Sequence, residues 1–134
     1  MRTLVLVAED CPVAEATVPA AGRAGPTVAR VQHDMLADAP FTWTEDDVLF
    51  ESWRRRQAPG SVPDGELPAV REAFLARPRP CLRASPLPMR YGWGLAFDGQ
   101  GRVALCPVES EEYRHLASGA AGVQLLRSFR SRRR

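Results

Sequence analysis

Apolar positions along the 134 residues fall into blocks that switch between strand and helix spacing. Residues 3–8, TLVLVA, are almost unbroken in apolar character, which predicts a strand inside a sheet, and the EDCP run at 9–12 ends it in a turn. Residues 19–26 are rich in Ala, Gly and Pro and read as a loop. Thr27 then caps a helix on which Val28, Val31 and Met35 recur at spacings of three and four, ending before Pro40. Thr44 opens a second helix with Glu45, Asp46 and Asp47 in its first turn and Arg54, Arg55 and Arg56 in its last, an order of charge that complements the helix dipole. Leu49 and Trp53 share one of its faces.

Residues 57–65 hold two Pro and two Gly and read as a surface loop. A third helix starts near Pro68 and runs to about Arg77, with Leu67, Val70 and Phe74 as its core face. Pro78, Pro80, Pro86 and Pro88 argue against regular structure over residues 79–89, which are expected to cross the surface in extended or turn conformations. Residues 91–97 and 102–108 read as strands joined by Asp98-Gly99-Gln100-Gly101, a turn whose glycines permit positive backbone angles. Ser110 caps a further helix carrying Tyr113, Leu116, Ala117 and Ala120, closed by Gly119 and Gly122. Val123, Leu125, Arg127 and Phe129 alternate in step, as in a last strand.

These elements predict an α+β fold: a small, mostly antiparallel sheet of the N-terminal strand, the hairpin and a final strand, packed by about four helices. The length suits a single domain over residues 1–126, with an Arg-rich tail at 127–134.

Composition changes the weight of the arginines. The chain has no Lys, Ile or Asn, and every basic side chain is Arg. All three missing residues have AT-rich codons, so a GC-rich genome explains much of the arginine content, and each Arg points less firmly to anion recognition than its chemistry alone suggests. Five of the 18 arginines, Arg127, Arg130, Arg132, Arg133 and Arg134, lie at the end, leaving 13 against 16 acids in a mildly acidic body. Such an ending suits nucleic acid or an anionic partner, but a solvated tail is the simpler reading. The apolar run at 4–8 is too short for a signal-peptide core or a membrane span. Cys11, Cys81 and Cys106 are odd in number and widely spaced, which argues against a disulfide framework and for a cytoplasmic setting.

Four segments carry a resemblance. AEDCP at 8–12, CLRASPL at 81–87, RYGWG at 90–94 and VESEEY at 108–113, in this order and spacing, resemble a small bacterial family of uncharacterised proteins, a domain of unknown function. The resemblance spans most of the chain and implies no activity, cofactor or catalytic residue.

Candidate chemistry therefore rests on the residues themselves. Arg83, Ser85, Arg90, Tyr91 and Trp93 form a set suited to a small organic anion, because guanidinium forks and a hydroxyl bind carboxylate or phosphate while aromatic rings flank the organic body. The competing reading makes the arginines anchors of the Pro-rich crossing and Trp93 a core residue. Gly92 and Gly94 mark close approach by a ligand, a backbone or a bulge. His115 follows Glu111 by four positions and Glu112 by three; with Glu111 or Asp10 it could move protons in a cofactor-independent enzyme, although a surface ion pair is the plainer account. His33 beside Asp34 does not complete a metal-ligand pattern, and no phosphate loop, dinucleotide fingerprint or GxSxG elbow appears, so neither metal nor cofactor is expected. The three cysteines are expected to be buried or inert, Cys106 as a core residue of the hairpin. The leading expectation is a ligand-binding or accessory protein for a small anionic molecule, ahead of the acid/base enzyme and of nucleic-acid or partner binding through the tail.

Overall fold

The computed structural model describes residues 2–119 and 121–131, so Ala120 and Arg132 to Arg134 lie outside the described residues. Four strands, β1 (Thr3–Leu6), β2 (Trp93–Phe97), β3 (Val103–Pro107) and β4 (Gln124–Arg127), form one sheet in the order β3-β2-β1-β4. Among the described residues five α-helices accompany them: α1 (Val28–Asp38), α2 (Glu45–Arg55), α3 (Leu67–Ala76), α4 (Pro86–Arg90) and α5 (Glu111–Ala117). The α+β class expected from the pattern is present.

The sheet is mixed. The pairs β1 with β2 and β2 with β3 are antiparallel, but β4 lies parallel to β1, with Leu4 beside Leu125. β2 returns against β1 after the chain has passed through α1 to α4, and the β2–β3 hairpin reverses it again, so β3 runs in the same direction as β1; α5 then carries the chain back across the sheet and β4 enters parallel. The tight part of the fold is the turn between β2 and β3. Asp98 Oδ1 accepts the backbone N–H groups of Gln100 and Arg102, and Gly101 takes φ 78°.

Both faces of the sheet are covered over β1, β2 and β3, as the unbroken apolar run of β1 implies, while β4 is largely exposed. Val5, Leu95 and Val103 point to one face and pack with Val31, Met35 and Leu36 of α1, Val48 of α2 and Leu87 of α4. Leu4, Ala96 and Cys106 point to the other, against Tyr113 and Leu116 of α5. Helix starts follow the expected caps: Thr27 Oγ1 accepts from Arg30 N, Ser110 Oγ from Tyr113 N, and Thr44 forms a reciprocal capping box with Asp47.

Two expectations need correction. The count of about four helices omits α4, which occupies the Pro-rich stretch expected to lack helix. Pro86 and Pro88 fall in the first turn, where a backbone N–H has no intrahelical acceptor anyway, and Ser85 Oγ caps Leu87 N at 3.3 Å. The expectation of a core face on α3 also fails, because none of its residues is buried; it rests on α2 through Phe74, 5.6 Å from the Phe50 ring and 5.3 Å from that of Trp53.

Candidate functional site

The five residues expected to hold an anion do not converge on one pocket. Arg83 is an anchor: its Nε donates to the carbonyl of Arg127 at 2.9 Å, and its guanidinium lies 4.8 Å from the centroid of Phe129. Its own carbonyl accepts from Phe129 N and Ser128 Oγ. Arg127 belongs to β4, the edge strand of the sheet, so Arg83 fastens the edge and the segment that follows it. Trp93 is held by its Nε1 donating to the Thr17 carbonyl at 2.7 Å and by the His33 ring at 5.3 Å. Tyr91 accepts the Thr17 N–H through its carbonyl and is half-buried. Arg90 is exposed, ends α4, and shares a cleft of about 430 Å³ with Asp10, Pro12 and Ser131.

The glycines around Trp93 serve the fold. Gly92 takes φ 77°, and a Cβ there would lie 3.0 Å from the Glu15 carbonyl; one on Gly94 would meet the Tyr113 ring at 2.8 Å. The close approach is therefore by another backbone and by a side chain.

The groups expected to move protons are also separated. Glu111 and His115 are exposed on α5, while Asp10 Oδ1 accepts the backbone N–H of Ser131 at 2.8 Å. Neither Glu111 nor His115 lines the Asp10–Arg90 cleft. Arg90 ends a helix on one face of the sheet and His115 sits on the helix covering the other. At the C-terminal end, Arg127 Nη1 donates to the Val7 carbonyl and Arg130 pairs with Glu9 at 3.1 Å, so ordered contacts continue through Ser131. Arg132, Arg133 and Arg134, the rest of the expected tail, lie outside the described residues. Among the cysteines, Cys106 is buried, as expected of a core residue of the hairpin, and burial pushes its thiol up to about 11, whereas Cys11 is half-buried and Cys81 exposed.

Arg83 lines a separate groove of about 300 Å³ beside Glu45 and Phe97, and Ser85 reaches a third one. Ser85 is 4% exposed and donates to Gln32 Oε1 at 2.6 Å; the Gln32 amide donates in turn to Ser52 Oγ at 3.4 Å, and Ser52 donates to the Leu49 carbonyl. This chain links α1, α2 and the cap of α4 on the buried floor of a groove of about 310 Å³. Leu49, Trp53, Phe74 and Leu82 supply apolar wall, with Arg56 and Arg79 at the margins. The Gln32 amide nitrogen carries two hydrogens and donates one to Ser52, which leaves donor capacity at the floor. Arg56 is exposed with no hydrogen bond or ion pair to its guanidinium among the described residues, while Arg79 is engaged by Asp46 at 2.9 Å.

The acids beside the groove are already committed. For Asp47, burial acts to raise the carboxyl, but hydrogen bonds from Thr44 and the charge and hydrogen bond of Arg71 outweigh it and hold the group below its usual range. Glu51 is held low chiefly by its hydrogen bonds from Arg54, against the opposing effect of burial. Little in the sequence marks this groove, because its walls come from four separate segments. The shared face of Leu49 and Trp53 and the apolar run around Phe74 are its only local traces, and both read equally as core.

Comparison with known proteins agrees with the expected membership in a family of unknown function. A family of unknown function (DUF6157) matches residues 1–134, and the chain belongs to it. No protein of curated function and no solved structure matches the chain.

Proposed function

We propose that this family member is a small binding protein whose groove between α1, α2, α3 and the segment entering α4 takes an amphipathic organic anion. The observation that carries the reading is the combination, in one groove of about 310 Å³, of a buried Ser85–Gln32–Ser52 floor, the Trp53 ring with Leu49, and the guanidinium of Arg56. Pockets that bind small molecules are mostly apolar with a few converging polar groups, and this groove has that composition. An aromatic or aliphatic body would lie against Trp53 and Leu49, with a polar edge to the Gln32 amide and the negative charge toward the arginines. The cytoplasmic setting expected from the free cysteines belongs to the same proposal.

The test is thermal unfolding of the protein with 1-naphthoate and 1-naphthalenesulfonate. A ligand specific for the folded state raises the midpoint in a saturable way. The reading expects such a rise in the wild type, a smaller one in Arg56→Glu, and an unchanged one in Arg83→Ala and Arg90→Ala, whose side chains lie elsewhere. A wild-type midpoint unaffected by either compound would remove the groove as a site for this class.

A further inference from the structure

Among the described residues, nothing accepts from one donor of Arg79. Its Nη1 donates to the carbonyls of Leu75 and Arg77, which finishes the end of α3, and its Nη2 donates to Asp46 Oδ1 at 2.9 Å. Its Nε–H is sealed from solvent and has no partner among the described residues. Buried donors are nearly always paired, and an exception calls for an explanation. The side of a guanidinium formed by Nε and Nη2 is an edge on which a carboxylate can sit with both oxygens, and Asp46 occupies Nη2 with one oxygen only, leaving Nε unbonded.

The ring of Phe74 lies over this group, 5.9 Å from ring centroid to the guanidinium carbon, and also forms part of the groove wall. Phe74 sits on the one helix with no buried residue, held to α2 by ring contacts with Phe50 and Trp53 and by the Arg71–Asp47 ion pair. Moving its ring uncovers part of Phe50, which is 2% exposed, so whatever displaces Phe74 must cover that ring in its place. A flat ligand ring that replaces it against Trp53 restores the aromatic contact that is lost.

We infer that Arg79 is the anion-reading residue of the groove and that the ligand is an aryl carboxylate, which displaces the Phe74 ring and takes the Nε–H of Arg79. The inference rests on the groove being a binding site. A carboxylate fits better than a phosphate dianion because one donor is left unmet and because Asp46 and Asp47 stand nearby, each already paired with an arginine. Asp46 keeps its bond to Nη2 in the complex.

Calorimetric titration of the full chain with 1-naphthoate and with its neutral analogue 1-naphthamide separates the inference from its premise. The wild type is expected to prefer the carboxylate by about tenfold, the effect of one charge-assisted hydrogen bond. Arg79→Lys, which keeps the charge facing Asp46 but removes Nε, is expected to lose the preference while binding naphthamide as before. Phe74→Ala, which uncovers Arg79, is expected to bind naphthoate more tightly than the wild type, and it decides the matter should Arg79→Lys fail to fold. A preference that survives in Arg79→Lys, or a Phe74→Ala protein with no gain for naphthoate, overturns the role of Arg79 and leaves the groove standing. If neither compound binds the wild type, the groove reading falls and the inference falls with it.

Discussion

Replacing Gly94 with alanine would drive a methyl group into the ring of Tyr113. The added Cβ would lie 2.8 Å from Cε2 and 3.1 Å from Cδ2 of that ring, with the Cys106 carbonyl at 3.2 Å on the same side. Tyr113 has little room to retreat: it is 8% exposed, packs with Leu4 and Cys106, and its hydroxyl accepts the Val7 N–H at 3.0 Å. Overpacking of this kind costs about 1–3 kcal/mol. A ring shift that breaks the bond to Val7 adds about 1–3 kcal/mol for a stranded donor. Against these, alanine restricts the unfolded chain and returns about 0.4–1 kcal/mol. The net expectation is a loss of about 2 kcal/mol, read in urea as a midpoint lower by about 1 M at unchanged slope. The cause is checked by a cycle with Tyr113→Leu, because once the ring is gone the alanine should cost far less and the two changes should couple strongly. An unchanged midpoint in Gly94→Ala, or additive effects in the cycle, would refute the steric argument.

Ser85→Ala removes the cap of α4 and strands Gln32 Oε1, so stability should fall by about 2 kcal/mol in urea unfolding, against little change for Ser61→Ala in an exposed loop. Asp34, Asp47 and Glu51 are all held below their usual range in the folded protein. The unfolded chain therefore binds their protons more readily, and the stability they contribute is present above about pH 4 and lost as pH falls through their depressed folded values. Urea midpoints measured from pH 6 down to 3 should decline, and Glu51→Gln should flatten part of that slope; an equally steep decline in the variant would contradict the assignment. With the Cys106 thiol pushed up to about 11 inside the core, thiol labelling at pH 8 should modify Cys81 first and Cys106 only on unfolding. Cys81→Ser should abolish the fast phase.

Local chemistry was legible and distant chemistry was not. Thr27, Thr44 and Ser110 announce helix starts because a capping bond joins residues three apart, and Asp98 with Gly101 announces the β2–β3 turn for the same reason. The alternation around Leu125 showed a strand, but its parallel partner depends on how α5 returns the chain, which no local pattern encodes. The prolines misled because their position within a turn, rather than their number, decides whether a helix tolerates them. Arg83, Arg90 and Trp93 are neighbours in sequence that the short helix α4 and the start of β2 send in different directions. Ser85, Gln32, Trp53 and Phe74 are distant in sequence and meet only because α1, α2 and α3 stack in order on one face of the sheet.

The claim that the groove binds an aryl anion is tested most directly at Trp53. The protein has three tryptophans, and only Trp53 lines this groove. In 15N-labelled protein, with the indole signals assigned by Trp→Phe substitutions, titration with 1-naphthoate should move the Trp53 resonance saturably. The Trp93 resonance, fixed by its bond to Thr17, should stay in place. Movement of Trp93 or Trp43 in preference to Trp53, or no saturable movement at all, would contradict the account.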